Sequence, residues 1–199
     1  MENNRRRERV VPDASIRRMH RCWNTPAYFE GWDRIELIFP FPEYEKCLGT
    51  PEGVQTELDF FPQENRHHTL TLGDHMRRTW EILCGLEGER KGEISDSLRI
   101  AARIHDLGKP DTKGFLNTKG ERTEEAHYYQ HENAGAYDAL FLDAPDPLAV
   151  SVLVNLHMKP YSWEGQPSGE STRKRYRDLW GEKLFEDVML LHEADRAAH

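Results

Sequence analysis

The sequence predicts an all-α fold, and two observations carry that prediction. Apolar residues recur at three- and four-residue spacing in several segments, whereas apolar and polar residues nowhere alternate with a period of two for long. Helix-capping and helix-breaking residues also stand at the ends of those segments. We therefore expect a helical bundle at residues 66–199 around one core, and a loop-rich, partly helical extension at residues 1–65 packed on it.

The first clear helix is predicted over residues 72–86, because one stripe of mainly apolar side chains recurs there with helical spacing. A second helix begins at a cap formed by Ser95 or Asp96 and runs to about Leu107. Gly108 follows at once and ends it.

A third helix is predicted from near His131 to Leu142. Asp146 and Pro147 form a typical cap and first position for a fourth helix, which Pro160 ends. The fourth segment is rich in β-branched residues and also fits a buried strand, but its length and its flanking residues favour a helix.

A final helix is predicted from about Glu182 to Arg196, with another at residues 170–180. Residues 23–62 are rich in aromatic residues and proline, which favours short helices and loops over a sheet. The first 21 residues carry seven Arg against three acids. We interpret them as a frayed, solvated terminus, with an arm that touches nucleic acid as the alternative.

The composition excludes several classes of protein. The chain has 199 residues, with 27 Lys and Arg against 35 Asp and Glu and a net charge of −8, which argues against sequence-independent binding of nucleic acid. No apolar run is long enough to span a membrane, and no apolar run follows the first arginines as in a secretory signal. The three cysteines form no CxxC pair, so we expect reduced thiols in a cytoplasmic protein rather than a disulfide scaffold or a zinc ribbon.

The last predicted helix carries a carboxylate on its apolar face. Leu184, Val188 and Leu191 continue with helical spacing into Asp195. Because a buried, unpaired carboxylate is costly, such a residue usually has a cationic or metallic partner.

Three histidines are placed in the same way on apolar stripes. They are His75 in the first helix, His105 at the end of the second and His157 at the end of the fourth, and Asp106 lies at the edge of the second stripe. Each histidine alone is more often a satisfied core residue than a ligand. Because all of them need polar partners inside one core, convergence on metal is the simplest interpretation.

The donor types agree with that interpretation. Imidazole and carboxylate without thiolate suit a divalent ion such as Mn, Fe, Ni, Co, Zn or Mg. The adjacent His105–Asp106 pair offers a nitrogen and an oxygen from one turn, and a carboxylate can bridge two ions. Two ions about 3.5–4 Å apart can activate a water and hold both ends of an in-line phosphoryl displacement.

The order of these candidate ligands along the chain resembles that of a known family. The order H…HD…H…H…D is similar to that of the HD superfamily of metal-dependent phosphohydrolases, and the similarity covers residues 66–199. The motifs that carry it are TLGDHMRRT around His75, IHDLGKP at 104–110, HENAGA at 131–136, LHMKP at 156–160 and LHEADRAA at 191–198.

The resemblance implies a metal site with two ions in the core of the bundle. It gives His75, His105, Asp106 and Asp195 the first ion, with Asp106 as the bridge. His131 and His157 match the two positions that add a second ion in the binuclear members.

Two further residues are candidates for the catalytic machinery beside Asp106. Lys109 follows the HD doublet closely and is the better candidate among the cations for contact with phosphate. His68 lies seven residues before His75, so we expect it near the same helix face, towards the ligands or the substrate, with plain surface as the alternative.

Within the superfamily, the sequence around these motifs is most similar to the HD domain of bacterial CCA-adding tRNA nucleotidyltransferases. It also resembles the HD phosphoesterase module that some bacteria fuse to a polynucleotide kinase. The Walker A and nucleotidyltransferase signatures of those proteins are absent here, which raises the expectation of a further domain after His199. The GYP extension of cyclic-dinucleotide phosphodiesterases is absent as well, so that substrate is rejected.

The resemblance implies a phosphohydrolase acting on a nucleotide or an RNA 3′ end, with terminal 2′,3′-cyclic phosphate or 2′-phosphate as the favoured group. One alternative is an enzyme for dNTPs or nucleoside monophosphates. The other is a non-catalytic domain that docks RNA, against which the complete six-residue set weighs. The basic segment 173–177 fits either an RNA contact or a solvated helix face.

Overall fold

The structure is a computed structural model that describes residues 11–39, 41–66, 69–87 and 93–199. His68, predicted to lie near the ligands or the substrate with plain surface as the alternative, falls outside the described residues, as do the first ten residues. The described helices and strands, in chain order, are α1 (Asp13–Arg21), α2 (Pro51–Glu57), α3 (Leu72–Glu87), α4 (Asp96–Ile104), α5 (Lys109–Thr112), β1 (Gly114–Leu116), β2 (Arg122–His127), α6 (His131–Ala139), α7 (Pro147–Leu156), α8 (Gly169–Trp180) and α9 (Glu182–Ala197).

The all-α class is confirmed, and every helix predicted from residue 72 onward forms. The β-branched segment is helix α7, so the alternative of a buried strand is wrong for it. Two helices end at earlier residues than predicted. The second helix ends at Ile104, and the backbone continues in tighter turns through Leu107 and Lys109. The third helix ends at Ala139, three residues before Leu142.

The extension is loop-rich and partly helical, as predicted, and it is attached to the bundle at several points. Thr25 and Ser151 share a hydrogen bond of 2.6 Å between their hydroxyl groups, and the Leu48 amide donates to the Phe141 carbonyl. The boundary of the extension at residue 65 stays a prediction.

The prediction of a frayed terminus is wrong for residues 13–21, which form helix α1 on the surface of α6. His20 Nε2 lies 3.0 Å from Asp138 Oδ1, and the Arg21 guanidinium donates to the Asp111 carbonyl at 2.7 Å. No local sequence pattern indicates these partners, because they lie about a hundred residues away along the chain.

The contact between α1 and α6 is expected to make stability depend on pH. The hydrogen bond with Asp138 raises the pKa of His20, although burial opposes the shift. A pKa above the unfolded value of about 6.5 means that the stabilisation is complete below that pH and is lost as the pH rises through the folded pKa. His20→Gln should therefore lower the free energy of unfolding by about 1 kcal/mol near pH 6 and by less near pH 8.5. Chemical denaturation at both pH values measures this, and an equal loss at both would contradict it.

One short hairpin departs from the purely helical prediction. Strand β1 pairs antiparallel with β2, whose side chains RTEEAH are mostly polar and exposed or half-buried. The apolar alternation that marks a half-buried strand is therefore missing from the sequence. Strand β2 is tied to the extension, because the Ala126 amide donates to the Glu64 carbonyl and Asn65 Nδ2 donates to the Ala126 carbonyl.

The core lies among five helices, α3, α4, α6, α7 and α9. Helix α4 packs between α3 and α7, α6 packs along α7, and α9 closes the bundle against α3. Its fully buried side chains include Leu83, Leu98, Val150, Phe185 and Leu191. No helix in the described ranges is both long enough and apolar enough to cross a membrane.

A very close backbone approach fixes the turn after α4 against α6. A Cβ atom on Gly108 would lie 2.2 Å from the His131 carbonyl oxygen and 2.4 Å from the Gly135 nitrogen, where nothing can move easily. Gly108→Ala is therefore expected to lower the free energy of unfolding by about 2–3 kcal/mol. The matched control is Gly85→Ala, whose Cβ meets nothing within 4 Å on helix α3 and which should be neutral or stabilising. Equal effects of the two variants in thermal denaturation would contradict this packing.

Candidate metal centre

Six ligand-type side chains converge on one buried place between the helices. His75 comes from α3 and Asp195 from the last turn of α9, while the others stand just at or beyond the ends of helices. Each of the six is at most 6% exposed. They are the six residues proposed as ligands from the sequence: His75, His105, Asp106, His131, His157 and Asp195.

Three of these side chains form a first cluster. The Nε2 atoms of His75 and His105 lie 3.3 Å apart. Asp195 Oδ1 lies 3.0 Å from His75 Nε2 and 3.4 Å from His105 Nε2. All three potential donor atoms therefore face one another.

The other three form a second cluster. The Nε2 atoms of His131 and His157 also lie 3.3 Å apart. Asp106 Oδ1 lies 3.1 Å from His131 Nε2 and 3.8 Å from His157 Nε2. This cluster has the same composition as the first, two imidazoles and one carboxylate.

Asp106 belongs to both clusters through its two oxygens. While Oδ1 faces the second cluster, Oδ2 lies 3.4 Å from the Nε2 atoms of both His75 and His105. The geometry therefore places a carboxylate between two sets of imidazoles, as a bridging ligand requires.

The hydrogen bonds of the histidines test whether a cation fits. His131 Nδ1 lies 2.8 Å from the Tyr128 carbonyl oxygen and His157 Nδ1 lies 2.6 Å from that of Val154, so each Nδ1 carries the proton and donates it. When both rings are neutral, as metal ligands must be, the two Nε2 atoms present lone pairs to each other. Two lone pairs in such contact repel unless a cation lies between them, and nitrogens bound about 2.0–2.1 Å from one ion have similar separations. The residues present thus fit divalent metal.

His105 is held in the same way, because its Nδ1 atom lies 3.1 Å from the Ala102 carbonyl oxygen. In each of the three histidines, Nδ1 thus pairs with the carbonyl group of the residue three positions earlier in the chain. The local backbone therefore aims Nε2 at the centre and fixes the tautomer that binds metal.

The charges of the centre are set by burial and by the close pairs. Burial alone would raise the pKa values of the two carboxyl groups, but Lys109 and His105 hold that of Asp106 well below its usual range, and His105 does the same for Asp195. Burial lowers the pKa of His105, but Asp106 and Asp195 outweigh it and raise the pKa to about 10. Burial, together with the neighbouring His131, lowers the pKa of His157 to about 3. The first cluster thus attracts positive charge, and His157 is a neutral donor.

Lys109 sits beside the bridging carboxylate. Its Nζ atom lies 2.7 Å from Asp106 Oδ2 and 2.7 Å from Gln63 Oε1, and the side chain is buried. It therefore balances part of the negative charge of Asp106. Contact between Lys109 and phosphate stays a prediction.

A cavity of about 570 Å³ opens onto the centre. Its lining includes residues that sequence reasoning missed, among them Tyr129, Tyr161 and His199. His199 stacks on the His75 ring. It lies four residues after Asp195, so helical spacing could have predicted its place near the centre. Nothing in the sequence marks the two tyrosines, because their position depends on how separate segments meet.

Tyr161 positions one of the carboxylates. Its hydroxyl group donates to Asp195 Oδ2 at 2.9 Å, which leaves Oδ1 directed at the histidines. Tyr161→Phe should lower metal affinity about tenfold, the low end of the loss usual when a residue that orients a ligand is replaced. Metal titration of the variant measures this. An unchanged affinity would show that Asp195 holds its orientation without the hydroxyl group.

The basic segment 173–177 lies on helix α8. Arg173 and Arg177 face the Phe185 ring, with guanidinium carbons 5.7 and 4.8 Å from its centroid, and Arg177 also pairs with Glu182. An RNA contact by this segment stays a prediction.

Comparison with known families gives one match. The family model described as HD domain matches residues 72–198, a range that contains all six converging side chains. No curated protein and no solved structure matches the chain.

Proposed function

Because the chain belongs to the HD domain family, a superfamily of metal-dependent phosphohydrolases, we propose that it hydrolyses phosphate esters at a centre of two divalent ions. The first ion would be held by His75, His105 and Asp195, and the second by His131 and His157. Asp106 would bridge them.

The observation that carries the proposal is the division of the Asp106 carboxylate between two histidine pairs. Oδ1 lies 3.1 Å from His131 Nε2 and 3.8 Å from His157 Nε2, and Oδ2 lies 3.4 Å from both members of the first pair. A single ion would need only one such pair. Two pairs of like geometry, joined by one carboxylate, support two ions.

When bound, two such ions activate a water molecule for in-line attack at phosphorus and stabilise the negative charge that develops. The protein's own groups prepare the site for this chemistry. The buried histidines and carboxylates are held before substrate arrives, so little reorganisation is needed during the reaction. The Lys109 ammonium, next to Asp106, adds fixed positive charge on the cavity side where a phosphate group would lie.

The identity of the metal is proposed from the donors alone. Four imidazoles and two carboxylates without a thiolate suit Mn, Ni, Co, Fe, Mg or Zn. Soft ions that require sulfur ligands are disfavoured, since none of the three cysteines is among the converging residues.

For the substrate we propose a nucleotide or an RNA end, with 2′,3′-cyclic phosphate or 2′-phosphate favoured. The support is the similarity of the local motifs to RNA-processing members of the superfamily and the size of the cavity. About 570 Å³ lies within the range typical of small-molecule sites.

A matrix of substrates and metals tests the proposal. The purified protein is incubated with 2′,3′-cAMP, 2′-AMP, 3′-AMP, 5′-AMP and dATP, each with Mn, Ni, Co, Mg or Zn, and released phosphate or nucleotide is measured. The Asp106→Asn variant serves as the control for contaminating phosphatases. We expect hydrolysis of the cyclic and 2′ esters first. Turnover of dATP alone would replace the RNA-end assignment by a dNTPase, and no turnover despite bound metal would favour a non-catalytic domain.

A further inference from the structure

The segment that enters helix α6 carries three aromatic side chains in a row at the mouth of the cavity. His127 ends strand β2, and Tyr128 and Tyr129 follow it. In an extended segment, residues two apart point to the same side. The rings of His127 and Tyr129 accordingly stack with an offset, with centroids 5.3 Å apart and planes 9° from parallel.

Tyr128 anchors this segment from the opposite side. It is 9% exposed, its hydroxyl group donates to the Gln63 carbonyl, and the Lys109 ammonium lies 5.4 Å from its ring centroid. Burial also raises the pKa of Tyr128 to about 12, so its hydroxyl group stays a donor. The chain immediately before Tyr129 is therefore fixed.

Tyr129 itself is 46% exposed although it lines the same cavity as Asp106 and His131. One face of its ring is covered by His127, and it stands two residues before a candidate metal ligand. The Tyr129 ring is therefore partly exposed to solvent, and the His127 ring fixes its orientation. These are the properties of a stacking platform rather than of a core side chain. Aromatic side chains in such positions bind nucleobases, since every base has a π-face.

We propose that Tyr129, backed by His127, stacks on the base of the substrate while its phosphate group lies at the metal centre. This inference rests on the proposed function and assigns the residue that recognises the nucleobase of its substrate. Because stacking reads no hydrogen-bond pattern, the platform should favour nucleoside phosphates over sugar phosphates and discriminate little among the bases.

The test compares the binding of two ligands that the site cannot hydrolyse. They are the phosphonate analogue of 2′-AMP, in which carbon replaces the ester oxygen, and the same ribose phosphonate without a base. Calorimetry in the presence of Mn²⁺ gives both dissociation constants for wild type, Tyr129→Phe and Tyr129→Leu. Tyr28→Leu is the matched control, because Tyr28 is 62% exposed and lies outside this cavity.

Wild type should bind the AMP analogue more tightly than the base-free one. Tyr129→Leu should weaken only the AMP analogue, by about tenfold, whereas Tyr129→Phe should retain binding because it keeps the ring. The platform is overturned if wild type does not prefer the AMP analogue, or if the ratio of the two constants is the same in Tyr129→Leu.

Failure of the platform can be told apart from failure of the proposed function. Hydrolysis of ribose 5-phosphate and of the nucleotides by wild type is measured in parallel. If esters are hydrolysed but the binding ratio does not respond to Tyr129→Leu, only the platform is wrong. If wild type binds metal and hydrolyses no ester, the proposed function is wrong.

Discussion

Asp106→Asn is expected to lose both metal ions and at least about a thousandfold in phosphohydrolase activity, since the ions contribute several kcal/mol to the transition state. The substitution keeps the size of the side chain but removes the negative charge that faces both histidine pairs. It also leaves Lys109, which lies 2.7 Å from Asp106, without its counter-charge. Elemental analysis of the variant and steady-state kinetics measure the two losses.

The control for this prediction is Asp187→Asn. Asp187 is another buried carboxylate, on helix α9, and it pairs with Lys183 away from the centre. That variant should retain full metal content and activity. Equal metal content in wild type and Asp106→Asn would mean that Asp106 is not the bridge.

His157→Ala is expected to lose one ion and keep the other, with a fall in activity of about a hundredfold or more. The reason is the division of the ligands, because His157 lies within reach of Asp106 and His131 but is not in the cluster of His75, His105 and Asp195. Metal content should fall from two ions per chain to one.

A second buried histidine provides the comparison. His192 is 3% exposed and pairs with Glu164 rather than with the centre. His192→Gln should therefore keep both ions. Loss of both ions in His157→Ala would indicate a single cooperative site rather than two separable ones.

Much of the centre could be predicted from the sequence because its ligands interrupt apolar stripes. His75 and Asp195 each lie on a stripe of apolar residues with helical spacing, and the structure places both in the core. Helical periodicity identifies such positions without knowledge of the fold. The motif order then supplied His131, which no stripe marks.

The details that the sequence could not give depend on backbone geometry and on contacts between distant segments. Helix α4 ends at Ile104, and His105 and Asp106 lie in the turn that follows it. In that turn, Asp106 directs one oxygen at each of the two clusters. The apolar periodicity predicts a helix as far as Leu107, because it reports only the spacing of apolar residues and not the close backbone approach at Gly108. Tyr161 reaches Asp195 across 34 positions, a contact that no local pattern encodes.

The hairpin illustrates a different limit. Strand β2 is held by backbone hydrogen bonds to β1 and to the extension rather than by an apolar face. Its formation is therefore decided by partners that the local sequence does not reveal. The same hairpin carries His127 and so sets the position of Tyr129 beside the centre.

The claim of a binuclear centre is tested most directly by anomalous diffraction from crystals of the Mn-loaded protein. We expect two peaks per chain, one contacted by His75, His105 and Asp195, the other by His131 and His157, with Asp106 contacting both. A single peak, or peaks away from these side chains, would contradict it.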